Sequence, residues 1–354
     1  MNHLHKVGKV CFGKEVLPKE VLQWIAKENL WNLWVPESHG GLEMSLTDGL
    51  DTLRSLAQLD GSLGWTVTLC SGANFFVGNL EKTVADELFT GNNRPIFGGS
   101  GGVFGTADKV GDGYVIKGTW KYATGAPYLT HFTLNAKIRK DGADVLMDDG
   151  TPLVRSFLLK REQVEIVQDW NTMGLKATAT DSFEVNSQWV HGKYSFVYDT
   201  YYLPQPIFKI PFSVFADLTL WVNYIGMAER FLEEAQLIVA DKGILKDLQH
   251  MILHAAKECM GDGQRIQSMV VEAKNIPGSY VEKIHQKASC SVRSLTHEIL
   301  RQPNIISSVH WAEEINCNLL SFFLTVGTRE TLIIPQMVQD EIGTFLDGDL
   351  GNFH

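Results

Sequence analysis

The sequence is short of every feature that would place the protein in a membrane, on nucleic acid or outside the cell. No run of about 18 apolar residues occurs, so no membrane-spanning helix is predicted. The chain has 31 Lys and Arg against 41 Asp and Glu, a net charge of −10, and no basic stripe that would suit nucleic acid. The first residues lack the apolar core of a signal peptide. We therefore expect a cytoplasmic protein whose partner is a small molecule.

Cysteine is also scarce, and its five positions form no Cys-x-x-Cys pair. Scattered cysteines of this kind are typical of reduced, mostly buried thiols. His250 and His254 have the spacing of a zinc pair on one helix face. Met251, however, stands where the Glu of His-Glu-x-x-His belongs, and no third ligand is evident. We interpret the two histidines as a solvated or packed pair and predict no metal site.

The glycine-rich residues 98–105, GGSGGVFG, are neither a Walker sequence nor in the Gly-x-Gly-x-x-Gly register. A strand pattern follows them rather than a helix, so the helix N-terminus that would bind a phosphate is missing. We therefore do not interpret these residues as a dinucleotide-binding motif.

Three zones of the chain differ in hydrophobic period. Over residues 18–89 apolar residues recur at helical spacing, with Ser45 and Asp48 placed as a helix cap. Over residues 95–189 they alternate as in strands, and beyond about residue 212 long helical blocks follow. Helices, then strands, then helices indicate an α+β fold.

Two strand-like motifs carry the strongest functional signal: GYVIKGTWKYATG at residues 113–125 and DWNTMGLKATATDSF at residues 169–183. Residues two apart on a strand face the same way, so Tyr122 and Thr124 should point together. An ordinary barrel face with a row of Trp120, Tyr122 and Thr124 is the alternative interpretation.

Both motifs resemble the flavin-contacting edges of the acyl-CoA dehydrogenase superfamily. The stretch Tyr122-Ala123-Thr124-Gly125 stands between the Trp-Ile-Thr-Asn of its dehydrogenases and the Trp-x-Phe-Ala-Ser-Gly of its flavin-dependent two-component monooxygenases, the branch it resembles most. The segments LWNLWVPESHGGLEMSL and DGSLGW resemble the family's N-terminal signature. The resemblance implies an N-terminal helical domain at 1–92, a middle β-barrel at 93–205 and a C-terminal helical bundle at 206–354.

The resemblance further implies a flavoprotein oxidoreductase that uses FMN rather than FAD. The flavin would arrive in reduced form from a separate reductase, and the substrate would be a small aromatic or similar molecule. Thr124 would hydrogen-bond the flavin edge, while Tyr122 and Trp170 would shape the ring pocket. The implied cofactor-binding residues are Ser100, Tyr122, Thr124, Gly125, Trp170, Gly174, Thr178 and Thr180.

The acid/base residue that the family would place near the C-terminus is open between two registers. Asp347 with His354 preserves the family's Asp-to-His spacing, whereas Asp340 with Asp347 fits the distance from Gly327 better. Neither register supplies the accompanying Arg. We take His354 and Asp347 as candidate catalytic residues beside Thr124.

Two other functions stay open. The threonine at position 124 also fits an FAD-dependent acyl-CoA dehydrogenase, which would pass electrons to an electron-transfer flavoprotein, although the Phe-Asp-x-x-Arg run of such enzymes is missing. The other is a non-catalytic homologue that keeps the fold and has lost the base.

The helix that follows Asp217 is apolar around most of its circumference, and such a helix must be buried on most sides. We predict that the surplus packs against another subunit, in a homotetramer or at least a dimer. The residues concerned are Leu218, Leu220, Trp221, Tyr224, Ile225, Met227 and Phe231.

Overall fold

A computed structural model describes residue 11 and residues 14–91, 94–172 and 175–300. Residue 300 is described by its backbone alone. The N-terminal part is helical, as predicted. Ser45 caps one helix by accepting a hydrogen bond from the Asp48 amide, and Asp60 caps the next by accepting from Leu63 N at 2.8 Å. The helices are α1 (Lys19–Lys27), α2 (Leu46–Leu59), α3 (Gly61–Asn74) and α4 (Lys82–Phe89).

The middle part is one eight-stranded sheet, and the glycine-rich residues 98–105 lie inside its first strand. The strands are β1 (Phe97–Val110), β2 (Gly113–Ala123), β3 (His131–Lys140), β4 (Ala143–Asp144), β5 (Val154–Lys160), β6 (Glu165–Val167), β7 (Asp181–His191) and β8 (Ser195–Phe196). Their order is β6-β7-β2-β1-β3-β5-β8, with β4 beside β3, and the β1–β3 pair is parallel.

The predicted closed barrel is wrong for the described residues, because β6 and β8 lie at opposite edges of the sheet and do not pair with each other. These edge strands have three and two residues, so they offer few backbone groups with which to close a barrel. The α+β order is as predicted, while the boundaries at 92/93 and 205/206 stay predictions.

The last described part consists of α5 (Phe212–Ile238), α6 (Lys246–Val271) and α7 (Gly278–Leu300). Helix α5 lies at the centre, where it packs against α2, α3, α6 and α7. All seven apolar residues assigned to a subunit interface are buried inside this one chain. The argument for that interface is therefore wrong, because neighbouring helices of the same chain cover α5 on most sides. The homotetramer stays a prediction.

No helix among the described residues is long and apolar enough to cross a membrane. Within that same part of the chain, no group of three His, Cys, Asp or Glu side chains is arranged to hold a metal ion.

Candidate functional site

A cavity of 350 Å³ lies where α3 and α5 face the ends of β1 and β2. Its helical wall comes from α3 and α5, and its strand wall from the glycine-rich part of β1 and from the end of β2. The principal lining residues are Thr68, Gly72, Phe76, Ser100, Gly101, Phe104, Tyr122, Thr124, Tyr198, Phe212, Phe215 and Thr219.

Four aromatic rings form one side of this cavity. Phe76 stacks on Tyr198 with 5.1 Å between ring centroids and 8° between ring planes. Phe212 lies 4.7 Å from Phe76 and 6.1 Å from Phe215, measured between centroids. Aromatic rings prefer offset-stacked and edge-to-face contacts with other aromatic rings. This side of the cavity is therefore suited to a flat aromatic ligand.

A β-bulge shapes the strand wall. Between Trp120 and Ala123, β2 has one residue more than the facing stretch of β7, and Tyr122 in the bulge has φ 70°. Positive φ is uncommon for a bulky residue and marks local strain. The bulge sends Trp120 into the core, where it stacks on Phe183, and turns Tyr122 toward the cavity. The predicted regular strand through Thr124 is thus wrong, although Tyr122 and Thr124 do line the same cavity.

The two sequence motifs meet behind the strand wall. Gly125, at φ 75°, donates its amide hydrogen to the carbonyl oxygen of Thr178 at 2.8 Å. The hydroxyl oxygens of Thr124 and Thr180 lie 3.0 Å apart, and those of Thr180 and Thr178 lie 2.8 Å apart. A row of three buried hydroxyls therefore runs from the cavity into the protein.

The direction of the hydrogen bonds in this row is fixed at its inner end. Thr178 Oγ1 lies 2.7 Å from the carbonyl oxygen of Leu175. A carbonyl oxygen has no proton to donate, so the Thr178 hydroxyl donates to it. Because each hydroxyl has one proton, Thr180 must then donate to Thr178 and Thr124 to Thr180. The Thr124 hydroxyl has then used its only proton. Its oxygen can accept a hydrogen bond from a ligand in the cavity, but it cannot donate one.

Two glycines keep the cavity open from its two walls. A Cβ atom on Gly101 of β1 would have no atom within 4 Å, and one on Gly72 of α3 would have Phe215 Cε1 as its nearest neighbour at 3.8 Å. Both residues line the cavity, so larger side chains there would occupy the cavity rather than the protein core.

The thiol nearest the strand wall is not a nucleophile. Cys70 of α3 is fully buried and its Sγ donates to the carbonyl oxygen of Thr124 at 3.7 Å. Burial raises the pKa of this thiol to about 12, because the thiolate would lose its hydration. Cys70 is therefore protonated at neutral pH.

The remaining predicted residues divide into four groups. Ser100 lines the cavity, whereas Thr178 and Thr180 lie behind Thr124 and do not reach it. Trp170 lines a different depression from Tyr122, and its Nε1 donates to the carbonyl oxygen of Leu175 at 3.0 Å. Its role in binding the flavin stays a prediction. Three predicted site residues lie outside the described residues: Gly174, Asp347 and His354.

The helical wall contains residues that sequence reasoning did not select. Thr68 and Asn223 are buried polar residues on α3 and α5, and Asn223 Nδ2 donates to Thr68 Oγ1 at 2.6 Å. Both stand in segments that are apolar nearly all around, TVTLC and WVNYIG. A polar residue in such a segment was the available signal, because a buried polar group requires a partner.

No family model matches the chain. The chain is 27% identical over 242 residues to indole-3-acetate monooxygenase of Acinetobacter baumannii, covering 66% of this chain and 60% of that protein. It is 24% identical over 221 residues to the flavin-dependent monooxygenase oxygenase subunit HsaA of Mycobacterium tuberculosis, covering 60% and 54%. The matches thus span less than two thirds of these relatives.

Solved structures with the same fold cover nearly the whole chain. XiaF from Streptomyces sp., in complex with FADH2 and glycerol, superimposes with a TM-score of 0.80 at 18% identity, covering 98% of this chain and 94% of that one. The 3-HSA hydroxylase from Rhodococcus sp. RHA1 gives a TM-score of 0.81 at 17% identity, with the same two coverages. The chain is therefore similar in sequence to flavin-dependent monooxygenases and shares its fold with solved structures of a reduced-flavin-binding protein and of a hydroxylase.

Proposed function

We propose that this protein is the oxygenase component of a two-component flavin-dependent monooxygenase of the acyl-CoA dehydrogenase superfamily. Reduced FMN would come from a separate reductase, and the substrate would be a small aromatic molecule. When bound, the reduced flavin supplies the electrons with which O2 is activated, so that one oxygen atom enters the substrate. The observation that carries the proposal is a cavity with aromatic rings on one side and an acceptor-only Thr124 oxygen on the strand wall.

The residues of the cavity fit a flavin ring. Gly101 leaves open space at the strand wall for a flat ring, and Tyr122 stands beside it. The N5 atom of a reduced flavin carries a hydrogen, whereas N5 of an oxidised flavin offers only a lone pair. Thr124 would therefore accept a hydrogen bond from the N5 hydrogen of reduced flavin. With oxidised flavin, the lone pairs of the Thr124 oxygen would face the lone pair of N5 and repel it. Thr178 and Thr180 would act through Thr124, and Ser100 would contact the cofactor from β1.

Flavin titration and product analysis test the proposal together. Under anaerobic conditions the protein is titrated with FMN and FAD in both redox states; we expect micromolar affinity for reduced FMN, equivalent to about 8 kcal/mol, and weaker binding of both oxidised forms. The protein is then supplied with a flavin reductase, NADH, ¹⁸O2 and a panel of phenols, indoles and aromatic ketones. Mass spectrometry should detect a product that contains one ¹⁸O atom.

Other outcomes assign the protein elsewhere. Stoichiometric oxidised FAD in the purified protein, together with its reduction by an acyl-CoA, would indicate an acyl-CoA dehydrogenase. Absence of binding for every flavin would indicate a non-catalytic homologue. The choice of His354 or Asp347 as the acid/base residue stays a prediction, which the matching His354→Ala and Asp347→Asn variants test in the product assay.

A further inference from the structure

Four buried threonines line the cavity, and the hydroxyl groups of three of them donate hydrogen bonds to other groups of the protein. Thr133 donates to the carbonyl oxygen of Gly98 at 3.2 Å, and Thr219 donates to that of Phe215 at 2.9 Å. Thr124 donates to Thr180, as its row of hydroxyls requires. These three hydroxyls therefore have no proton left for a ligand.

Thr68 is the fourth, and its hydroxyl group accepts a hydrogen bond instead of donating one. Its Oγ1 accepts the Asn223 amide hydrogen at 2.6 Å, and no described residue accepts the proton of the Thr68 hydroxyl. The Thr68 residue is 2% exposed, so bulk water offers little compensation. A buried donor without an acceptor is unfavourable, and in native structures such a group calls for an explanation such as a bound ligand.

Asn223 holds the Thr68 hydroxyl in this orientation. It is fully buried on α5, and its Oδ1 has no hydrogen-bond partner among the described residues. With the lone pairs of Thr68 directed at the Asn223 amide group, the remaining proton is directed away from α5. The lining of the cavity includes Thr68 of α3 and, from α5, the aromatic rings of Phe212 and Phe215.

We propose that Thr68 is a specificity-determining residue and that Asn223 positions it. The Thr68 hydroxyl donates a hydrogen bond to a neutral oxygen acceptor, such as a ketone or phenol oxygen, on an aromatic ligand whose ring packs on the aromatic side of the cavity. The identification of this ligand as the substrate rests on the proposed monooxygenase function. The substrate class is then an oxygen-bearing aromatic rather than an aromatic hydrocarbon.

A matched pair of probes tests the hydrogen bond in flavin-free protein. Acetophenone has a carbonyl oxygen where α-methylstyrene has a CH2 group, and the two molecules have nearly the same shape. Binding of each probe is measured by ligand-observed NMR titration. We expect the wild-type protein to bind acetophenone about tenfold more tightly, since a site built around a hydrogen bond discriminates against an analogue that lacks the partner.

Three variants locate the source of this preference. Thr68→Val keeps the shape and removes the hydroxyl, so the preference should fall to within about twofold, whereas Thr68→Ser should retain it. Asn223→Asp keeps the shape of Asn223 but accepts the Thr68 proton when ionised, so this variant should also lose the preference. Thermal melting shows which variants fold, and the Val and Ser pair decides the question even without Asn223→Asp.

The results separate this proposal from the flavin function. A preference that Thr68→Val retains overturns it, and so does a wild-type protein that binds both probes equally or neither of them. Anaerobic flavin titration of the same samples is independent of the probes. A protein that prefers acetophenone through Thr68 but binds no reduced flavin keeps the ligand site and loses the monooxygenase function.

Discussion

The hydroxyl oxygens of Thr124 and Thr180 lie 3.0 Å apart, across the joint between the end of β2 and the start of β7. Both residues are at least 97% buried, with exposed fractions of 3% and 1%. The Thr178 hydroxyl donates its proton to the Leu175 carbonyl oxygen, so Thr180 must donate to Thr178. Thr124 is therefore the donor and Thr180 the acceptor in their hydrogen bond. The chemistry that Thr124 offers to the cavity is thus set by two residues that do not line the cavity.

Replacing Thr180 with Val should change which flavin the protein prefers. The variant has no acceptor for the Thr124 proton, which becomes free to turn toward the cavity and donate to N5 of an oxidised flavin. We expect the ratio of affinities for reduced and oxidised FMN to fall about tenfold, measured by anaerobic fluorescence titration. Thr180→Ser keeps the hydroxyl row and should keep the ratio. An unchanged ratio in Thr180→Val would show that the direction of the row does not matter.

Replacing Thr124 with Ala should harm chemistry more than folding. One hydrogen bond to a neutral group contributes about 1 kcal/mol to stability, so the melting temperature should fall by only a few degrees. A positioned polar group can contribute about 2–4 kcal/mol in a transition state. The ratio of product formed to NADH consumed should therefore fall at least tenfold, with H2O2 released instead, while Thr124→Ser should stay near wild type. Unchanged coupling and flavin affinity in Thr124→Ala would place the flavin site elsewhere.

The sequence predicted the order of elements well because period and capping are local properties. Helical and strand spacing located the three zones, and the Ser45 cap is where the sequence placed it. The contact between the two motifs followed from resemblance alone, since residues 124 and 180 are far apart in sequence. Strand alternation failed at Tyr122 because one inserted residue changes the direction of every side chain beyond it.

The helical wall could not be predicted from one sequence. Thr68 and Asn223 lie 155 residues apart, and only the packing of α3 against α5 brings them together. The same packing explains the error about subunit contacts. An apolar circumference predicts burial on most sides, but it does not distinguish helices of the same chain from those of another subunit.

A larger residue at position 72 should separate stability from binding. Gly72→Leu places its side chain in the cavity, and Leu is a better helix former than Gly by up to about 1 kcal/mol. The variant should therefore melt at or above the wild-type temperature while its affinity for reduced flavin or for acetophenone falls at least tenfold. Gly261→Leu on α6 is the matched control, because a Cβ there meets no atom within 4 Å and Gly261 lies outside the cavity lining. Full ligand affinity in Gly72→Leu would mean that the cavity is not the binding site.

Asp60 should make the protein less stable as pH rises. Its carboxyl group is buried at the start of α3, and the loss of hydration raises its pKa from 3.8 to about 6. A carboxyl group whose pKa is higher in the folded state binds more protons there than in the unfolded state, so the free energy of unfolding decreases between about pH 4 and pH 6. The shift corresponds to a loss on the order of 2–3 kcal/mol.

Asn at position 60 removes this charge and keeps the helix cap, since Asn and Asp are similarly good N-cap residues. Denaturant unfolding at pH 4 and pH 7.5 should give nearly equal stabilities for Asp60→Asn and wild type at the lower pH, and a more stable Asp60→Asn at the higher pH. Asp60→Ala also removes the charge but loses the bond to the Leu63 amide, so it should be less stable than Asp60→Asn at both values. If the difference between Asp60→Asn and wild type did not grow with pH, the Asp60 carboxyl group would have to be ionised at little cost in the folded protein, through partners that compensate for its burial.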